Sequence, residues 1–242
     1  VTPAGPSVQE ALDKAVKVQD APVVIELDEG LYTIDRPLTL DSSPRGGLTV
    51  RGKGIGRSVI SGGITLPAFR EGPDGLWVMD VKGMTLPGDD IQQLFVNGER
   101  TVYARTPNTG WYFVTGKVEE TLPERVDDAG KTSTYAVQKM SLAPEHEAVL
   151  RKLAPAEHSR LTISFLHAWD LTRRYVDSVS FDSHLLSVSG IPMPEWNVLD
   201  RKDASQFYLE GDRSFLDQEG EWFYDSVDGK IYYKPRHGED IS

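Results

Sequence analysis

The chain has 242 residues, 37 acidic and 26 basic, with a formal net charge of −11 and a sequence pI near 4.9; such a surface repels polyanions, and with no basic patch a nucleic-acid partner is not expected. Cysteine is absent, which excludes disulfides and thiolate metal sites and suits either a cytosolic chain or a cysteine-poor bacterial export. No run approaches the ~18 apolar residues of a membrane-spanning helix, so no membrane partner is expected, and "VTPAGPSVQE" has no basic region leading into an apolar one, so any signal peptide is taken as already removed.

The first predicted element is a helix over Ser7 to Gln19. Ser7 and Glu10 form a capping box, and Val8, Ala11, Leu12, Ala15 and Val16 fall on one face. After Pro22 the sequence turns to short β-rich runs punctuated by Gly and Pro: "VVIELDEGLYTI", "PLTL", "GLTVRGKG", "SVISGG" and "LWVMDV". "IELDEG", Ile25 to Gly30, is echoed by "TVRGKG", Thr49 to Gly54, each a strand ending in a charged Gly turn, with "LWVMDV" as a looser third pass. The echo sets Ile25 against Thr49 and Gly30 against Gly54. A period in the low twenties suits a β-solenoid, whose coils stack at about 4.8 Å. Val23 to Val81 is therefore expected to form stacked coils. An ordinary antiparallel β-domain stays open as the alternative; it would pair Val24 antiparallel with the Leu48 to Val50 run.

From Leu86 to about Gln218 longer strands joined by hairpins predict a separate antiparallel β unit. Asn97-Gly98 reads as a type I′ turn between "QQLFV" and "RTVYAR", and Asp228-Gly229 as another between "EWFYD" and "KIYYK". Between them lie the polar stretch "EETLPERVDDAGKTST", a short helix over Pro144 to Leu153, and strands in "RLTISFLHAW", "SFDSHLLSV" and "SQFYLEG".

Candidate binding residues gather after the first hairpin, in "ARTPNTGWYFV". A flat ring stacks on the C–H face of a sugar while Arg and Asn at its rim meet the hydroxyls, so Arg105, Asn108 and Trp111 are candidate substrate-binding residues. Against that, Tyr103, Trp111 and Phe113 are also the kind of side chains that fill a core. The five histidines, His146, His158, His167, His184 and His237, show no paired spacing, so no metal site is expected. His167 and Asp170 in "HAWD" suggest either an acid–base couple or, more simply, a hydrogen-bonded strand pair. "GLTVRGKG" is not a phosphate loop, since Gly54 stands where Ser or Thr should hold Mg²⁺, and no G-x-S-x-G elbow occurs.

Taken in order, the helix with "VVIELDEGLYTIDRPLTL", then "LTVRGKGIGRSVISGG", "QLFVNGERTVYARTPNTGW" and "FLDQEGEWFYDSVDGKIYYKPRHGED" resemble the N-terminal portion of right-handed parallel β-helix glycoside hydrolases, the group of xylan-active enzymes and α-fucosidases. The resemblance spans nearly the whole chain. It implies a mainly β fold: a capping helix and first β-helix coils over residues 1–85, an inserted antiparallel β-barrel or sandwich over 86–218, and a hairpin returning to the β-helix over 219–242. It also implies a secreted or periplasmic bacterial enzyme with no cofactor, acting on plant or host polysaccharides or oligosaccharides.

In the resembling family the paired catalytic acids lie on later coils. The catalytic residues are therefore expected beyond Ser242, leaving these 242 residues inactive alone and with an open stack edge for the remaining β-helix or a covering partner. Within the chain, Glu219 with Glu221 and Asp225 with Asp228 are the pairs to weigh against the two-carboxylate requirement of glycoside hydrolysis; acids bracketing a hairpin more often cap backbone N–H groups. Two rival functions remain: a polysaccharide lyase on the same solenoid, needing a base and often Ca²⁺, and a non-catalytic carbohydrate-binding or adhesion module.

Overall fold

The computed structural model describes residues 1–18, 20–42, 46–85, 91–126, 130–194, 199 and 205–240; Gln19, Leu86 and Ser242, where the sequence set boundaries, lie outside them. Two compact units result, Val1–Leu66 and Pro67–Ser242.

In the first unit, helix α1 (Val8–Ala15) starts at the predicted cap: the Ser7 hydroxyl accepts from the Glu10 N–H at 3.1 Å, and the Ser7 N–H donates to the Glu10 carboxylate at 2.9 Å. It ends earlier than its apolar pattern, because Lys17 and Val18 bond back only three residues, to Lys14 and Ala15. Four strands follow: β1 (Val23–Glu26), β2 (Gly30–Thr33), β3 (Leu48–Arg51) and β4 (Ser58–Ser61).

β1 pairs β3 and β2 pairs β4, both in parallel, so the antiparallel alternative does not describe this unit. The register departs from the one the sequence echo sets: Ile25 lies beside Val50 instead of Thr49, and Gly30 beside Ser58 instead of Gly54. Side-chain pairing explains the first difference. A shift of one residue exchanges the two faces of a strand, and the observed register puts Ile25 with Val50 on one face and Glu26 with its ion-pair partner Arg51 on the other. Val8, Leu12 and Ala15 of α1 bury Ile25, Leu27 and Tyr32 in a core of their own. The partners in the second pass stay open, Val50 45% and Ile60 41% exposed.

The second unit begins with β5 (Arg70–Glu71) and β6 (Trp77–Asp80), then β7 (Phe95–Val96), β8 (Glu99–Arg100), β9 (Val102–Tyr103), β10 (Arg105–Thr106) and β11 (Tyr112–Phe113). β12 (Lys117–Thr121), β13 (Arg125–Val126), β14 (Thr132–Ser133) and β15 (Ala136–Ser141) lead to helix α2 (Pro144–Leu150). β16 (Thr162–Leu166), β17 (Leu171–Ser180), β18 (Leu185–Gly190), β19 (Gln206–Glu210), β20 (Glu221–Asp225) and β21 (Lys230–Tyr233) complete it.

Two sheets dominate this unit. One runs β10-β19-β16-β17-β18-β15-β12, with β11 also on β19, all antiparallel. The other runs β5-β6-β21-β20-β9. The "LWVMDV" run is thus no third coil; its strand β6 lies antiparallel between β5 and β21. Nor does a closed barrel form among the described residues. The first sheet ends at β12, whose outer positions carry the exposed Glu119 and Glu120, and charged edges of this kind resist further pairing. Both sheets contribute to one core, with Ile163, Phe165 and Leu209 from the first and Val78, Phe223 and Tyr232 from the second.

The two turn predictions part ways. Asn97 and Gly98 both have positive φ, 51° and 79°, and join Val96 to Glu99 as a two-residue type I′ turn requires. At the second site Asp225 pairs with Lys230, leaving a four-residue loop, because the Asp225 carboxylate accepts from the N–H groups of Val227 and Asp228 at 3.0 and 3.2 Å.

Phe165 is fully buried, whereas Val118 on the edge strand is 63% exposed. Phe165→Ala is expected to cost about 3–5 kcal/mol in urea unfolding and Val118→Ala under about 0.5 kcal/mol. Equal effects would contradict the placement of the core.

Candidate functional site

Strand alternation builds the candidate site. On β19, Phe207 and Leu209 are buried in the core, which turns Tyr208 and Glu210 to the opposite face. Residues paired across a ladder point the same way, and Glu210 pairs with Arg105 and Thr162, Tyr208 with Ser164, and Ser164 with Arg173. Arg105, Tyr208, Ser164, Arg173 and Glu210 therefore share one face.

The guanidinium carbon of Arg105 sits 5.0 Å from the Trp111 ring centre and 4.7 Å from that of Tyr208, and the two rings are 6.0 Å apart. Arg105 Nη2 donates to the Asn108 carbonyl at 3.2 Å, and the Asn108 amide donates to the Asp217 carboxylate at 2.6 Å. The Thr106 hydroxyl and the Tyr112 phenol meet at 2.9 Å, so the loop between β10 and β11 is fastened at both ends. Asn108 Oδ1 is buried without a partner. Behind this cluster Glu210 lies between the Ser164 hydroxyl and Arg173, each at 3.3 Å.

All three residues singled out from the sequence thus come together. Trp111 is 36% exposed and Phe113 is also open, so neither fills a core; Tyr103 does, edge-on to Trp222 at 4.7 Å. Tyr208 and Asp217 complete the cluster and were missed, although "SQFYLEG" alternates as a strand with one face in the core would.

The carboxylate pairs separate into structural roles. Glu221 is buried and accepts from the N–H groups of Asp217 and Gln218 at 3.1 and 3.0 Å. Burial pushes its carboxyl above the ordinary value of 4.5, against the downward pull of those two bonds. A raised carboxyl is one mark of a general acid, but here it faces inward. Glu219 accepts from the His237 N–H, and Asp225 also receives Arg160 at 3.2 Å.

Among the histidines, His167 bonds Thr172 through its ring at 2.9 Å, and its backbone N–H donates to the Asp170 carbonyl at 2.9 Å, in the hairpin between β16 and β17. Burial holds its imidazole below the ordinary value, partly offset by the Asp170 charge. His146 is buried edge-on to Tyr112 and Phe207, and its Nδ1 accepts from the Ala143 N–H at 3.1 Å. A constellation absent from the sequence reading is His184, whose Nδ1 lies 2.5 Å from Glu147, which Arg151 also holds at 2.7 Å. His184 comes from a turn and Glu147 from α2, and no local spacing links them. Hydrogen bonds from His184 and then Arg151 hold the Glu147 carboxyl below its ordinary value. No cluster of three or more metal-ligating side chains occurs among the described residues.

The fold and this face define a mainly β unit carrying an open cation–aromatic surface on one sheet. Residues 74–236 match the GH141 insertion domain family, and the chain belongs to that family. A solved structure described as "Glycoside hydrolase" shares the fold with a TM-score of 0.68 at 21% identity, covering 99% of this chain and 43% of that one. The chain thus spans less than half the length of that structure. No curated protein matches it.

Glu221 provides a pH test. Its folded value lies above the ordinary 4.5, so the protonated form is favoured in the fold and stability falls as pH rises through the folded value. Glu221→Gln is expected to gain in melting temperature on the wild type above that pH, the gap narrowing toward pH 4.5 and below. A gap independent of pH would contradict this.

Proposed function

We propose that this chain is the N-terminal part of a carbohydrate-active hydrolase, in which Arg105, Asn108 and Trp111, together with Tyr208, contact the sugar chain and a carboxylate pair outside these residues cleaves the glycosidic bond. The observation that carries the proposal is the exposed Trp111 ring beside a cation held over it. A pyranose C–H face covers the free indole surface, and Arg105 reaches the hydroxyls at its rim. Membership of the insertion domain family and the fold shared with a glycoside hydrolase support this reading.

In the same proposal, the parallel ladders of the first unit are the opening coils of a right-handed parallel β-helix of the xylan-active and α-fucosidase kind, with α1 as its cap. The exposed Val50 and Ile60 are then the side chains that a further coil covers. A secreted or periplasmic bacterial location belongs to this reading as well.

Trp111→Ala, in the full-length enzyme, is expected to weaken oligosaccharide binding roughly tenfold, the scale of a lost aromatic contact, with the melting temperature nearly unchanged. A large fall in melting temperature with unchanged affinity would return Trp111 to a structural role. The 242 residues alone are expected to leave aryl xylosides, fucosides and galactosides uncleaved, whereas the full-length enzyme cleaves one of them. Activity in the short chain that vanishes with Asp170→Ala, Glu219→Ala, Glu221→Ala or Asp225→Ala would place the chemistry here instead.

A further inference from the structure

We infer that the sugar taken by this face carries a carboxylate, which Arg105 receives while the ring lies on Trp111. The inference rests on the binding role proposed above and names its substrate class. Arg105 is half-buried, yet among the described residues no carboxylate lies within ion-pair distance of it. Its partners are two rings and one backbone carbonyl.

Arg174 is likewise bonded to carbonyls alone, but it spends two nitrogens on them, and other cations are matched by acids. Arg173, on the same face, is neutralised by Glu210 at 3.3 Å, Arg160 by Asp225 at 3.2 Å, and Arg151 by Glu147 at 2.7 Å even though it too lies over a ring, that of Phe181. In a chain with 37 acidic side chains, a half-buried guanidinium without one of them is a positive site in an acidic surface.

The hydrogen-bonding capacity of Arg105 is also unspent. It gives one donor to Asn108, and no nitrogen of Arg105 is among the buried atoms lacking a partner, so its other N–H groups reach solvent. A guanidinium stacked on rings keeps its donors at its edge, in the fork that a planar carboxylate fits with two parallel bonds. A neutral sugar would offer that fork adjacent hydroxyls but leave the charge uncompensated. Glu210, across the ladder from Arg105, is engaged with Arg173 and Ser164, and Asp217 with the Asn108 amide at 2.6 Å.

The test is calorimetric titration of the 242-residue chain with short galacturonate oligomers and with glucuronic-acid-bearing xylan oligomers, each compared with the same oligomer after reduction of its carboxyl groups. At least one acidic oligomer is expected to bind about tenfold or more tightly than its reduced form, as a charge-assisted pair implies, with the preference shrinking as salt is raised. Arg105→Gln should abolish the preference and Arg105→Lys keep part of it, both with little change in melting temperature. Equal binding of acidic and reduced oligomers, or a preference that survives Arg105→Gln, overturns the acidic-sugar inference and leaves the binding role standing. Failure of every oligomer to bind overturns the binding role and this inference with it. Should Arg105→Gln not fold, the wild-type comparison and its salt dependence decide alone.

Discussion

The second unit depends on the double-sided pairing of β19. Its five residues bond β16 along one edge and β10 and β11 along the other. Because side chains alternate, this register decides two things at once: Phe207 and Leu209 enter the core beside Phe165 and Ile163, and Tyr208 and Glu210 turn outward toward Arg105 and Arg173. A slip of one residue would carry the Glu210 carboxylate into the apolar core, at a cost of several kcal/mol. Core and candidate face are therefore specified by the same ladder, and the face cannot drift while the core holds.

The charges are arranged around that face according to burial. Glu210, the buried acid, is matched by Arg173 and Ser164, which leaves Arg105 to the rings. Elsewhere the perturbed groups serve the sheets. Burial, and then the bond to Glu239 at 2.6 Å, pushes the Tyr233 phenol above its ordinary range; Glu239 also receives the Arg236 N–H, tying the end of β21. Glu221 closes the turn before β20 in the same manner. Tyr233, Glu239 and Glu221 thus each fasten a turn or a strand end.

The sequence was most legible where a feature is local. The capping box at Ser7 and the Asn97-Gly98 turn depend on neighbours within a few residues, and both formed as read. The parallel return of the first strands was legible from its period, but the register was missed, by one residue between β1 and β3 and by four between β2 and β4; the first is set by Ile25 meeting Val50 and Glu26 meeting Arg51, contacts the Gly turns do not report. Asp228-Gly229 was read as a two-residue turn because the lengthening influence, the Asp225 side chain, sits before it. Barrel closure was the least legible feature, since it depends on two distant edges meeting. For the candidate site, Arg105, Asn108 and Trp111 could be grouped from sequence because one short stretch carries them; Tyr208 joins them through the register of β19, and Asp217, 109 residues from Asn108, through a single long-range hydrogen bond.

Sugar bound on the Trp111 side of this face, as proposed, would perturb one indole N–H resonance and leave the others in place. The chain has five tryptophans, among them Trp111 at 36% exposure, the fully buried Trp222, and Trp169 at 79% exposure in the hairpin beyond β16. On titration with oligosaccharide in an NMR spectrum, the account requires the Trp111 indole signal to shift in a saturable way, with Trp222 and Trp169 unmoved. A saturable shift of Trp169 with Trp111 unmoved would contradict it, and would put the sugar on a different edge of the sheet.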